Sequence, residues 1–221
     1  MPLSAPDLAL WRQTLRVDFA IELFIRVGAA ERLYNLLINE PEPLVTKLRV
    51  DDDEALTFSN TDKTLELEIT KECFQIDITR GQTLVEFNST AFRVFDLFVN
   101  VFEHPERFKG FSKDSVSVVF KNACFEVFKN SMNLREDITK ATFTSQLDQE
   151  GQNIGIEIRA LQSTNPDDNH PMALIRCRMD KETDQEAGFA RSDLESHVSG
   201  FDEFHKTGLV PYLASRFFSE D

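Results

Sequence analysis

Between Leu15 and Val27 every odd position is apolar (Leu15, Val17, Phe19, Ile21, Leu23, Ile25, Val27), whereas Arg16, Asp18, Ala20, Glu22, Phe24 and Arg26 fill the even ones. Successive side chains on a strand point to opposite faces, so this alternation predicts one long strand with an apolar face and a mostly charged one. Such a strand nucleates an antiparallel sheet, and a short helix over 5–11 leads into it. Gly28 ends the strand. Leu33, Leu36 and Leu37 then predict a helix over 29–39, stopped by Pro41 and Pro43. Five short alternating runs follow at 44–50, 56–59, 64–70, 74–79 and 84–88, with turns at Asp51 to Glu54 and at Arg80-Gly81. Their tight spacing makes neighbours antiparallel. Ser89 or Thr90 caps a helix running to about Glu103, where Phe92, Phe95, Phe98, Val99 and Phe102 share a side that a sheet or another helix must cover.

The second half follows a similar order. A second long strand is expected over 115–128, with a change of register near Asn122 that reads as a bulge. Strands at 138–147 and 154–161 form a hairpin, and a third follows at 172–179 after the loose connection Asn165 to Pro171. Leu194, Val198, Phe201, Phe204 or His205, and Leu209 repeat at helical spacing, and Gly208 and Pro211 break that helix before it resumes over 212–218. The fold class is therefore α+β: predominantly antiparallel sheet with two long strands and helices packed on one face. Residues 1–221 read as a single compact domain whose halves, 13–106 and 111–219, duplicate a strand-helix-meander-helix unit at the level of elements. In that order each half resembles the repeat of TATA-binding-protein-like folds, where a curved sheet carries its helices on one face; the charge of this chain opposes the DNA binding of that family.

Charge narrows the partners. The net charge is −14, with the acidity concentrated in residues 51–100 and 151–221. A field of that sign repels nucleic acid and anionic lipid, so no direct nucleic-acid partner and no membrane is expected. Arg107, Lys109, Lys113, Lys121, Lys129 and Arg135 make a relatively basic stretch, read as a solvated strand face because acidic residues are interleaved. Twenty Phe against two Tyr and one Trp point to aromatics used as core. Residues 1–7 lack the charged and apolar regions of a secretory signal, and no run approaches the roughly 18 apolar residues of a membrane span, so a cytoplasmic protein is expected. Cys73, Cys124 and Cys177 are far apart without a C-x-x-C pair, and all three read as small buried hydrophobes.

Candidate chemistry is sparse. His197 and His205 are eight apart on one helix, about 12 Å at 1.5 Å per residue, too far to share one metal directly. Asp193 and Asp202 lie within helical reach of them, which suits ordinary His-carboxylate pairs. His104 precedes Pro105 at a helix end, and the Asp167-Asp168-Asn169-His170 loop lacks the ligand spacing of a calcium loop. No G-x-S-x-G occurs, no Cys adjoins a His, and the Gly151 to Gly155 spacing falls in a hairpin without the Lys-Ser/Thr of a phosphate loop. No catalytic residue, metal or cofactor is assigned. The reading is a non-catalytic acidic cytosolic protein that binds another protein, as adaptor, inhibitor or accessory subunit of a basic partner, through Asp51, Asp52, Asp53 and Glu54 and through Asp180, Glu182, Asp184 and Glu186. The alternative is a small-molecule or lipid carrier whose Phe-rich helix lines a pocket.

Overall fold

The computed structural model describes residues 8–19, 27–50, 55–79, 82–102, 108–119, 133, 135, 140–149, 152–161, 173–183 and 188–217. In chain order the elements are β1 (Ala9–Phe19), α1 (Val27–Ile38), β2 (Lys47–Val50), β3 (Leu56–Ser59), β4 (Leu65–Ile69), β5 (Cys73–Thr79), α2 (Leu84–Val101), β6 (Phe108–Val119), β7 (Lys140–Gln149), β8 (Gln152–Leu161), β9 (Ala173–Glu182) and α3 (Arg191–Glu203), then a π-helical turn, Phe204–Leu209, and α4 (Val210–Phe217). The fold is α+β, with an antiparallel sheet of nine strands in the order β2-β3-β4-β5-β1-β6-β9-β8-β7. The strand order repeats: β1 neighbours β5, the last strand of the first meander, and β6 neighbours β9, the last strand of the second. The chain divides into two compact units, the first made of Arg12–Lys113 and Asp180–Val198, the second of Met1–Trp11, Asp114–Met179 and Ser199–Asp221.

Register explains the core of the first unit. Leu48, Phe58, Leu67, Ile76 and Leu15 lie opposite one another in one cross-strand row, and Val50, Leu56, Ile69, Phe74 and Val17 in another. Period two sends the intervening residues to the other face, where Asp77 accepts hydrogen bonds from Arg12 Nε (2.9 Å), Thr14 Oγ1 (2.5 Å) and Gln75 Nε2 (2.7 Å). Both helices cover the apolar face. From α1 come Ala30, Leu33 and Leu37, and from α2 Phe87, Ala91, Val94, Phe95 and Phe98, all in one buried cluster. Phe74 meets Phe95 edge-on at 5.1 Å between centroids and Phe98 at 5.3 Å, while Phe19 stacks on Phe98 at 5.7 Å. The start of α3 adds Leu194 and Val198 to the same cluster, and the Arg191 guanidinium lies 4.3 Å from the Phe92 ring centroid while bonding Asp96 at 3.0 Å.

Several expected boundaries move, and the second long strand, expected from Ser115, already begins at Phe108 as β6. The run at 84–88 is the first turn of α2, because Thr83 supplies a complete capping box: its hydroxyl accepts from Glu86 N at 3.2 Å, and the Glu86 carboxylate accepts from Thr83 N at 2.8 Å. Strand β1 begins at Ala9, so Ala9 to Trp11 extend the sheet where a helix is expected, and Val27 opens α1. The expected strand positions 20–26 and 120–128, with the bulge near Asn122, lie outside the described residues. In the second unit, β7 and β8 pair over ten residues each, burying Ile154, Ile156, Ile158 and Ala160 on β8. The helix expected to break at Gly208 and Pro211 instead widens into the π turn. Thr207 Oγ1 donates to Glu203 O at 2.8 Å, and Gly208 lies so close to the Phe204 ring that a Cβ there would stand 2.6 Å from a ring carbon.

Two outcomes follow. Phe98→Ala removes the ring that Phe19, Phe74, Phe95 and Phe102 all touch and should lower stability by about 3–5 kcal/mol in urea unfolding, without a local collapse that fills the space. The Glu86 carboxyl is held below its ordinary value, first by the Thr83 backbone N–H and then by its hydroxyl. Its contribution is therefore complete above the ordinary carboxylate pKa and fades as pH falls through the lowered one. The stability gap between wild type and Glu86→Gln should narrow on acidification, which urea melts at a series of pH values would read.

Candidate functional site

The first unit carries a polar cleft of about 460 Å³ lined by Arg16, Asp18, Phe19, Glu72, Lys109, Gly110 and Glu182. Each residue arrives there for a local reason. Burial of Val17 and Phe19 turns Arg16 and Asp18 outward on β1, where Arg16 Nε donates to Asp18 Oδ1 at 2.8 Å and that bond raises the guanidinium pKa. The two-residue turn Lys71-Glu72 joins β4 to β5, closed by Thr70 N donating to Cys73 O at 2.9 Å. The Thr70 hydroxyl accepts from Glu72 N (3.2 Å) and Cys73 N (3.1 Å), which fixes the turn, and Phe19 N donating to Glu72 O (2.8 Å) ties it to β1. On the other side Thr183 N donates to Lys109 O at 3.0 Å, joining the start of β6 to the end of β9.

Gly110 is required by closeness. A Cβ there would lie 2.9 Å from Lys181 O and 3.0 Å from Glu182 Cγ, so glycine lets β9 bring Glu182 to the cleft. The lining holds three carboxylates and two cations. Arg16 is engaged with Asp18, while Glu72, Lys109 and Glu182 are exposed and form no ion pair among the described residues. Cys73 lies behind Asp18 in the register, and burial raises its thiol above the ordinary value. Burial likewise raises Cys177, in the second unit. Both are free thiols kept protonated, unlike a nucleophilic cysteine.

No protein-family model matches the sequence, and no curated protein matches it. Among solved structures the chain is similar to the duplicated taurocyamine kinase from Schistosoma mansoni, with bound transition state analog components (TM-score 0.41, 10% identity, 89% of this chain and 32% of that one) and substrate-free (TM-score 0.41, 10% identity, 92% and 34%). The chain thus spans about a third of the length of those kinase chains. It is also similar to the apo immunity protein TplEi of T6SS from Pseudomonas aeruginosa, at TM-score 0.18 and 10% identity over 89% of this chain and 90% of that one. At these scores neither likeness defines the fold or the activity of this chain.

Of the acidic residues singled out in the sequence, Glu182 lies on the cleft and Asp180 two residues before it on β9. Asp51, Asp52, Asp53, Glu54, Asp184 and Glu186 lie outside the described residues, as do His104 and the Asp167 to His170 loop. Asp18 and Glu72 had no distinguishing signal in the sequence and Lys109 stood out only within the basic stretch, because only pairing of distant strands brings them to Glu182. Lys113 corrects the solvated-face reading of the basic stretch. It is fully buried, with Nζ donating to Asn88 Oδ1 at 3.0 Å and standing 3.3 Å from the Phe87 ring centroid. Asn88 on α2 is thus the acceptor of the buried lysine.

His197 and His205 are both buried. His197 meets the Phe111 ring at 4.9 Å, and His205 the Phe201 ring at 6.0 Å. Asp193, expected beside His197, accepts from Ala190 N at 2.8 Å and so helps start α3. Among the described residues no group of three or more His, Cys, Asp or Glu is placed to hold a metal ion, and no helix is long and apolar enough to cross a membrane. The Phe side chains of α2 lie ring against ring at 5.1 to 5.9 Å, which makes that stripe core. Gly110→Ala should force the β6 and β9 backbones apart and cost about 1–3 kcal/mol in chemical unfolding; an unchanged midpoint would mean that the close approach is not needed.

Proposed function

We propose that the chain is a non-catalytic acidic cytosolic protein that binds another protein, and that the cleft of the first unit holds a basic side chain of the partner. The observation that carries this reading is the pair of exposed carboxylates, Glu72 and Glu182, both lining one polar cleft and neither engaged in an ion pair among the described residues. Among the described residues, the ion pairs on the polar sheet face of the first unit join its own neighbours: Arg12 with Asp77, Arg16 with Asp18. A guanidinium or ammonium entering the cleft gains two carboxylates without displacing an internal partner, and the net charge of −14 draws such a group in from a distance. Buried free thiols suit a reducing compartment.

The test is capture of a short arginine-rich peptide, read by fluorescence anisotropy against salt. The expected outcome is binding at low ionic strength that weakens steadily toward 0.5 M salt, and at least a tenfold loss in the variant Glu72→Lys/Glu182→Lys. Equal affinity in the variant and the wild type would remove the cleft as the binding site. Reversal of Asp51, Asp52 and Asp53 in the same assay separates the contribution of that cluster.

A further inference from the structure

Strand β7 stands last in the sheet order, so among the described residues only β8 pairs with it. A strand paired on one side leaves alternate N–H and C=O groups on the other, and folded proteins ordinarily blunt such an edge with Pro, a bulge or an inward charge. Here none is used. The ten residues Lys140–Gln149 contain no Pro, run in unbroken one-to-one register with β8, and point Ala141, Phe143, Ser145 and Leu147 inward. These four are only half-buried, whereas their partners Ala160, Ile158, Ile156 and Ile154 are fully buried. The edge therefore keeps apolar surface that a further strand would cover.

We propose that β7 pairs antiparallel with β7 of a second copy of this chain, with Thr144 on the two-fold axis. That register sets Lys140 opposite Asp148, Ala141 opposite Leu147, Thr142 opposite Gln146 and Phe143 opposite Ser145, each twice. Inward residues meet inward ones, as the pleat demands, and both ends gain an opposite-charge pair. Sliding the axis to another residue leaves Lys140 or Asp148 without an opposite charge from β7. The hairpin is also electrically suited to meeting itself. In a chain of net charge −14 the described residues of β7 and β8 carry only Lys140, Asp148, Glu157 and Arg159, and the last two pair with each other at 2.6 Å. Two copies thus approach through a neutral patch, and the contact is isologous and closes at two. This dimer does not depend on the cleft of the first unit.

Sedimentation equilibrium of the full chain at 0.15 M salt, where long-range repulsion between acidic copies is screened, reads the assembly directly. A dimer is expected. Lys140→Glu and Asp148→Lys each place like charges opposite at both ends and should weaken it roughly tenfold or more, and the double variant should restore it. Both side chains are exposed, which limits the cost of either change to folding. Mild oxidation of Thr144→Cys should give a disulfide-linked dimer, whereas Gln146→Cys, which faces Thr142, should not. A monomer at every soluble concentration, a complex with a different chain in place of self-association, or a dimer indifferent to both single reversals would overturn the proposal.

Discussion

The first unit depends on one aromatic contact set. Phe98 on α2 touches Phe19 from β1, Phe74 from β5, and Phe95 and Phe102 on its own helix segment, so a single ring ties two strands to the helix that covers them. Each fully buried Phe contributes about 1.5–3 kcal/mol through desolvation alone, and rings at these separations add a geometric preference. Because strand side chains alternate, holding Val17 and Phe19 in the core also decides where Arg16 and Asp18 point. The composition of the cleft is thus set from behind, by the hydrophobic face that its strand presents to α2.

The polar side of the same unit follows a different rule. Asp77 gathers Arg12, Thr14 and Gln75, Asp18 holds Arg16, and Asp96 holds Arg191 over the rings of α2. Exposed pairs of this kind contribute little to stability, but they remove charges from competition for an incoming ligand. What stays unengaged at the cleft, Glu72, Lys109 and Glu182, comes from a turn and from the ends of two strands, where the pairing rules of the sheet no longer supply a neighbour.

Much of the fold was legible because period two and period 3.6 leave different traces. β3 fell where alternation put it, and β4, β5 and α1 within a residue or two. The errors have physical causes. Leu84 to Asn88 alternates as well as a strand does, and only Thr83 with Glu86 three residues on reveals a helix start. Lys113 looked solvated because its sequence neighbours do, while its actual surroundings, Phe87 and Asn88, come from α2. The candidate site was the least legible part. Glu182 stood out as one of a cluster of acids, but Asp18, Glu72 and Lys109 acquire a shared location only after β1, β5, β6 and β9 have found their places in the sheet.

The π turn at Phe204–Leu209 holds one more residue per turn than its flanks need. Each residue of an α-helix advances the direction of its side chain by about 100°. The extra residue therefore acts as a phase shift: it rotates all of α4 about the helix axis, and the burial of Leu213 depends on that rotation. A chain one residue shorter between Phe204 and Leu209 would form a smoother helix, yet it would turn Leu213 away from its buried side. Length in this segment is consequently under tighter constraint than the identity of its exposed residues, Lys206 and Thr207.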